Sequence, residues 1–296
     1  MVLFCFGFRP FNIAFLACTV NLSAPAFATS LTKLSNLNNY VEEQVKAEKL
    51  AGAEFLIARN NKIVMHSSRG FLNIETKKKL DKNSIYFIQS MTKPIISVAI
   101  MQLYERGLID FEDEVSKYIP EVARLKVALD WSKGINSPTE EIKSPITIGQ
   151  LLSHSSGLSH GLWNNKLDRD IGKLIYGANY PFFTDYSLHK TVESRAKALL
   201  SAPLMFQPGT NWYYSAGGDL LAVIIEKGTK QTVSSYLKEN IFNPLGMNDT
   251  GYNVAEESLE RVMQLHHTNN KKKFVVSKNQ PPRRGTSCLL YTSDAA

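Results

Sequence analysis

The chain has 296 residues, 44% of them hydrophobic and 21% charged, enough apolar material to bury a full core as one large globular domain with a subdomain. Its three cysteines, Cys5, Cys18 and Cys288, lie near the ends, so the body excludes a disulfide scaffold, a cysteine nucleophile and a thiolate metal site. The net charge of +7 draws on turn-like runs such as Lys77-Lys78-Lys79 and Lys271-Lys272-Lys273, which lack interleaved aromatics and read as a solvated face near an anionic envelope, not as a nucleic-acid surface.

Residues 1–28 hold one basic residue, Arg9, an apolar run over 11–20 and then Ala26-Phe27-Ala28, the pattern of a secretory signal peptide cleaved after Ala28. The expected location is periplasmic or secreted. A lipoprotein anchored at Cys18 is the less favoured alternative, because Phe15-Leu16-Ala17 is an imperfect lipobox. No stable membrane span is expected after signal removal, since the apolar run is short of the ~20 residues a span needs.

Apolar residues at Leu34, Leu37, Val41 and Val45 have helical spacing and predict a helix over 31–50. Runs at 53–59 and 62–68 around Asn60-Asn61 predict a hairpin. A short apolar run, Tyr86-Phe87-Ile88, then leads into Gln89-Ser90-Met91-Thr92-Lys93-Pro94, and the apolar stretch 95–104 predicts a buried helix ending near Gly107. Pro94 fits only the first turn of such a helix, which fixes its start. From Leu108 the chain becomes short helices with Pro- and Gly-rich joints, expected at 146–153, 188–200, 219–227 and 233–239 with no strong strand among them. Residues 108–252 therefore read as a helical subdomain inserted in an α/β or α+β domain whose sheet is at least partly antiparallel. No internal repeat is present, which excludes solenoids.

Ser-x-x-Lys occurs five times, at Ser30/Lys33, Ser90/Lys93, Ser187/Lys190, Ser194/Lys197 and Ser235/Lys238. Only the Ser90 pair joins a strand-like run to an apolar helix; the others lie in polar or amphipathic segments where capping or solvated roles suffice. Residues i and i+3 share a helix face, so Lys93 can bring its amine beside the Ser90 hydroxyl. A helix N-terminus favours negative charge, which suits a serine that must carry an oxyanion. This is a nucleophile with a base in reach. Further on, Pro208-Gly209-Thr210 is a turn signal that delivers Asn211-Trp212-Tyr213-Tyr214-Ser215-Ala216 to the start of another apolar helix. The Tyr214 phenol could accept the serine proton from there, or Tyr214 could be a packed aromatic beside Trp212.

Other serines and the histidines compete. Gly157-Leu158-Ser159-His160-Gly161 fits a Gly-x-Ser-x-Gly elbow, but that elbow needs a strand before it, and the preceding 151–154 is helical in pattern. His154, His160, His189, His266 and His267 match no metal-ligand spacing and read as surface or loop residues. Trp163 and Trp212 can line a cleft or simply pack.

Four stretches together resemble the serine β-lactamase and penicillin-binding family, in particular its class C β-lactamase and family VIII esterase branch. They are Ser90-Met91-Thr92-Lys93-Pro94; Ile146-Thr147-Ile148-Gly149-Gln150-Leu151-Leu152-Ser153-His154-Ser155-Ser156-Gly157-Leu158; Pro208-Gly209-Thr210 with Tyr214-Ser215; and Ile241-Phe242-Asn243-Pro244-Leu245-Gly246-Met247. The resemblance implies a β-lactamase-like α/β (α+β) fold: a mixed, mainly antiparallel sheet flanked by helices, plus an all-helical subdomain. It implies Ser90 as the acylated residue, Lys93 and Tyr214 sharing the proton transfers, and no cofactor or metal. Lys93 acts as base only where its surroundings favour the neutral amine; otherwise Tyr214 is the base and Lys93 an electrostatic helper. Substrates implied are small esters, β-lactams or peptidoglycan peptides.

Two departures shape the expectation. Where the family's tyrosine motif often ends in asparagine, this chain has Ala216, which offers no side-chain hydrogen bond to an acyl-amide and shifts the expectation towards esters. The family's third motif, Lys-Thr-Gly or His/Trp-x-Gly on a late strand, is not visible; Arg283-Arg284-Gly285 mimics it only loosely, and loss of one oxyanion donor costs about 10²- to 10³-fold in rate. The C-terminal strands and helix are thus expected to be missing, with a hydrolase domain over 29–282 and a non-native tail over 283–296. The expected function is a carboxylic ester hydrolase acting through an acyl-enzyme on Ser90. The alternatives are a β-lactamase or D-Ala-D-Ala carboxypeptidase, and a catalytically incomplete binding or regulatory protein of the same fold.

Overall fold

The computed structural model describes residues 31–181, 183–281 and 291–292. The expected signal peptide and nearly all of the expected tail lie outside them; beyond Pro281 only Tyr291–Thr292, a two-residue strand, is described. Two compact units are present: the first holds the chain up to Phe87 together with Ala255–Gln280, the second Ile88–Val254.

In the first unit, α1 (Leu31–Lys46) is followed by the antiparallel strands β1 (Gly52–Arg59), β2 (Lys62–Asn73) and the short β3 (Lys78–Lys79), in the order β1-β2-β3. The expected hairpin turns at Asn60 and Asn61, both left-handed at φ 50° and 58°, a conformation asparagine tolerates better than most residues. Cross-strand partners run from Arg59↔Lys62 to Gly52↔Gly70, with an irregularity at Ile57/Ala58. Gly70 has φ +89° and its Cα side faces the Gly52 backbone so closely that no Cβ fits, so glycine is required there. α1 closes one face of this sheet, with Val41 and Leu37 packed against Phe55, Ala53 and Met65. Residues 255–280 add a hairpin of His266–Thr268 against Phe274–Val276, and Ile85 N–H donates to Arg261 O at 2.8 Å. β4 (Tyr86–Phe87) ends the unit's first segment.

The second unit is mainly helical. A 3₁₀ turn, Gln89–Met91, leads into α2 (Thr92–Glu105), which stops before Gly107, as expected from the sequence. Ile96, Ala99, Ile100 and Leu103 of α2 are buried. The opposite face is not: Val98, Met101 and Tyr104 are 44–49% exposed, so the apolar run 95–104 is buried on one side only. A short hairpin of β5 (Lys126–Ala128) and β6 (Thr139–Glu141) stands where no strand was expected. Its three-residue strands are too brief to leave an alternating pattern in sequence.

Four further helices bring the site together: α3 (Ile148–Leu152), α4 (Lys166–Tyr176), α5 (Val192–Leu200) and α6 (Gly217–Thr229), followed by α7 (Val233–Leu237). α3 is started by a capping box, Thr147 Oγ1 accepting from Gln150 N–H while Gln150 Oε1 accepts from Thr147 N–H. α6 is the hub, packing against α2, α3, α5 and α7, and its Leu220 to Ile225 are all buried. Arg195 of α5 holds Asp219 in the first turn of α6 by an ion pair of 2.7 Å between largely buried side chains. Among the described residues no helix is long and apolar enough to cross a membrane.

Candidate active site

Ser90 lies on the 3₁₀ turn, half-buried, directly after Gln89, whose φ of +47° is rare for a residue with a Cβ. The backbone bends sharply there and presents the Ser90 side chain ahead of α2. Lys93, one turn on, donates from Nζ to Ser90 Oγ at 3.3 Å. The i, i+3 spacing thus does what the sequence suggested.

Tyr214 reaches this pair from the loop before α6. The Lys93 ammonium lies 4.8 Å from the centre of the Tyr214 ring, over its face. Its hydroxyl has no hydrogen-bond partner among the described residues. Gly218, at the start of α6, lies beside the lysine stem: a Cβ there would meet Lys93 Cγ at 3.5 Å, an ordinary van der Waals contact. All three expected site residues are therefore neighbours, with Lys93 in the middle.

The Tyr214 loop is held by backbone bonds to the loop after α3. Gly209 N–H donates to Ser155 O at 2.8 Å, Tyr213 N–H to His154 O at 2.9 Å and Ala216 N–H to Ser159 O at 3.0 Å. Ala216 itself is buried, at 3% exposure.

Two histidines pack on Tyr214; both lie on the loop after α3, in keeping with the surface-or-loop expectation, but they turn inward. His160 is buried and stacks on the Tyr214 ring at 5.2 Å between centroids, with Tyr176 hydroxyl 2.7 Å from its Nδ1. His154 is half-buried, and its ring lies tilted against the Tyr214 ring at 4.9 Å between centroids. Their loop folds inward because Gly157 and Gly161, at φ +86° and +80°, press against the backbone of Phe206 and Gly172 where no Cβ fits. Such inward packing leaves no periodic signal in sequence. His266 is buried as well, and its Nε2 accepts from Ile74 N–H at 3.1 Å.

Burial, and after it the Lys93 charge, hold both His154 and His160 below the ordinary imidazole range, His160 far below. Both are neutral in the folded protein near neutral pH. In the unfolded chain they take up protons below about pH 6.5. The stability they contribute is therefore present above that pH and lost as pH falls from it towards the depressed native values. The urea midpoint is expected to fall between pH 7.5 and pH 5.5, and His160→Gln to flatten that dependence; an unchanged slope in His160→Gln would contradict the assignment.

The same glycine packing accounts for the Gly-x-Ser-x-Gly pattern. Ser159 is 1% exposed and follows a loop, not a strand. Its hydroxyl donates to the buried Asp168 carboxylate and accepts from Gly161 N–H at 3.0 Å. Burial pushes the Asp168 carboxyl up, against hydrogen bonds from Ser159, Trp163 and Gly161 that favour its charged form. Ser159 is thus a tie between this loop and α4. Ser159→Ala is expected to keep turnover within about threefold while costing about 1–3 kcal/mol of stability, because a buried acceptor loses its donor; parallel assays and urea melts would show it.

Trp212 is 62% exposed and Trp163 49% exposed, both on the loops around this site, and Trp163 and Trp131 pack on Tyr213. Among the described residues no group of three or more His, Cys, Asp or Glu is placed to hold a metal ion.

The Beta-lactamase family model matches residues 37–292. The chain belongs to the β-lactamase family. Esterase EstB of Burkholderia gladioli is 27% identical over 237 residues, which cover 80% of this chain and 56% of that protein. Penicillin-binding protein 4* of Bacillus subtilis is 29% identical over 213 residues, 70% of this chain and 39% of that one. The unliganded selenomethionyl structure of simvastatin synthase LovD from Aspergillus terreus superposes with a TM-score of 0.70 at 21% identity, covering 88% of this chain and 65% of its own, which shows a shared fold. The α/β fold with mixed helix and antiparallel sheet is thus that of the family. The chain spans about half the length of the curated relatives it matches.

Proposed function

We propose that the protein is a serine hydrolase that cleaves small carboxylic esters through an acyl-enzyme on Ser90. The observation that carries this reading is the Lys93 Nζ to Ser90 Oγ hydrogen bond of 3.3 Å, with Tyr214 packed against the same ammonium. In the first step Ser90 Oγ attacks the ester carbonyl carbon and its proton passes to the Lys93–Tyr214 pair. The C–O bond to the alcohol then breaks and the alcohol leaves with that proton. In the second step water attacks the acyl carbon, one proton returns to Ser90 Oγ, and the carboxylic acid leaves. Lys93 Nζ is the group in hydrogen-bond contact with Ser90 Oγ: as a neutral amine it takes the proton itself, and as an ammonium donor it steadies the developing alkoxide while Tyr214 takes the proton.

Two observations support esters over β-lactams and peptides. Ala216 supplies no side-chain amide for an acyl-amide substrate. EstB, among the relatives, is named an esterase. Penicillin-binding protein 4* keeps the β-lactam and D-Ala-D-Ala reading as the alternative. The discriminating experiment compares p-nitrophenyl butyrate, a chromogenic cephalosporin and a D-Ala-D-Ala peptide on the same preparation. Ester turnover well above the other two is expected. Cephalosporin or peptide hydrolysis exceeding ester hydrolysis would reject the esterase reading. Acylation of Ser90 with no turnover of any of the three would favour a binding or regulatory protein. Export to the periplasm or beyond is proposed from residues 1–28 alone, and N-terminal sequencing of secreted protein tests it by the expected start at Thr29.

A further inference from the structure

α3 ends at Leu152 with Ser153 as its capping residue, and the chain then turns through His154 at φ +58°. Ser155 N–H donates to Gln150 O at 2.9 Å and His154 N–H to Leu151 O at 3.4 Å, the pair of bonds that closes a helix through a left-handed residue. Glycine suits that backbone best, because it has no Cβ to meet the following carbonyl, and asparagine is next. Histidine enters this conformation more readily than most residues with a Cβ, so the backbone alone assigns it no task.

The contacts of His154 show what it is held for. Its Nδ1 accepts from Ser215 N–H at 3.2 Å and lies 3.0 Å from Ser215 Oγ. An accepting Nδ1 places the proton of the neutral ring on Nε2. Its backbone carbonyl accepts from Tyr213 N–H at 2.9 Å. One residue thus grips the chain on both sides of Tyr214, by its main chain at 213 and by its side chain at 215. The ring also packs on Tyr214 at 4.9 Å and edge-on to Trp212 at 6.1 Å.

We propose that His154 is a positioning residue, whose carbonyl and Nδ1 clamp residues 213 and 215 and so hold the Tyr214 ring against Lys93. The inference rests on the reading of Ser90, Lys93 and Tyr214 as the catalytic centre. It assigns to the end of α3 a task that neither the Ser-x-x-Lys nor the tyrosine motif contains.

His154→Gly and His154→Asn test it together. Both suit the left-handed backbone, and only asparagine offers an acceptor, Oδ1, close to where Nδ1 stands. Melting temperatures of the two are expected to agree within about 5 °C. With p-nitrophenyl butyrate, kcat of His154→Gly is expected to fall by about 10- to 100-fold with KM changed less than threefold, since a small displacement of a catalytic group costs that much. His154→Asn is expected to recover about tenfold of the loss. The rate of Ser90 labelling by a fluorophosphonate should follow the same order. Equal kcat in the two variants, or wild-type kcat in His154→Gly, overturns the clamp while Tyr214→Phe remains inactive. Full activity in Tyr214→Phe, or a wild-type chain that neither labels nor turns over ester, overturns the catalytic reading itself and the clamp with it.

Discussion

Ser90→Ala is expected to abolish ester hydrolysis, lowering kcat by about 10⁴- to 10⁶-fold. The size follows from what is removed: without Oγ no acyl-enzyme forms, and only binding and electrostatics remain to assist attack by water. The fold should survive. Ser90 is half-buried on a 3₁₀ turn and its hydroxyl has one side-chain partner, Lys93 at 3.3 Å, so the loss of stability is expected to be about 1 kcal/mol or less. A steady-state assay beside a urea melt separates the two effects. More than about 1% residual kcat in a folded Ser90→Ala protein would remove Ser90 from the role of nucleophile.

The second large effect is expected at its partners. Lys93→Ala and Tyr214→Phe should each lower kcat by about 10²- to 10⁴-fold, the range for loss of a positioned proton-transfer group. Because Lys93 touches both Ser90 Oγ and the Tyr214 ring, the two changes are coupled. The double variant is therefore expected to fall little below Lys93→Ala alone, whereas independent roles would multiply. Multiplicative losses would mean that Tyr214 acts on another part of the reaction, such as the leaving group. Lys93→Ala also vacates the space beside Gly218, but the stem it removes is partly exposed, so a cooperative melt is expected to persist.

Much of the arrangement was legible from residues alone. The extent of α2 followed from its apolar run, Pro94 and Gly107, the β1–β2 hairpin from Asn60-Asn61, and the α6 start from the Pro208-Gly209 turn. The pairing of Ser90 with Lys93 follows from helix geometry, which is local. Bringing Tyr214 to them is not local: it stands 121 positions after Lys93 (214 − 93), and the residues alone left it open between a proton acceptor and a packed aromatic until the resemblance was added. The inward turn of His154 and His160 was missed because it depends on glycines pressed against distant backbone, which no periodicity records. The left-handed Gln89 was missed too, since its identity gives no hint of φ +47°. The exposed face of α2 at Val98, Met101 and Tyr104 shows the opposite limit: an apolar run sets the hydrophobicity of a helix, not which sides of it are covered.

Locating the acylated residue decides whether Ser90 is the nucleophile. The protein is treated with a fluorophosphonate, whose phosphorus bonds to an activated serine oxygen as fluoride leaves, and the adduct is mapped by mass spectrometry of the digested chain. A single adduct is expected on the peptide that carries Ser90, absent in Ser90→Ala and retained in Ser159→Ala. An adduct on Ser159 or any other serine, or no adduct in the folded protein, would contradict Ser90 as the nucleophile.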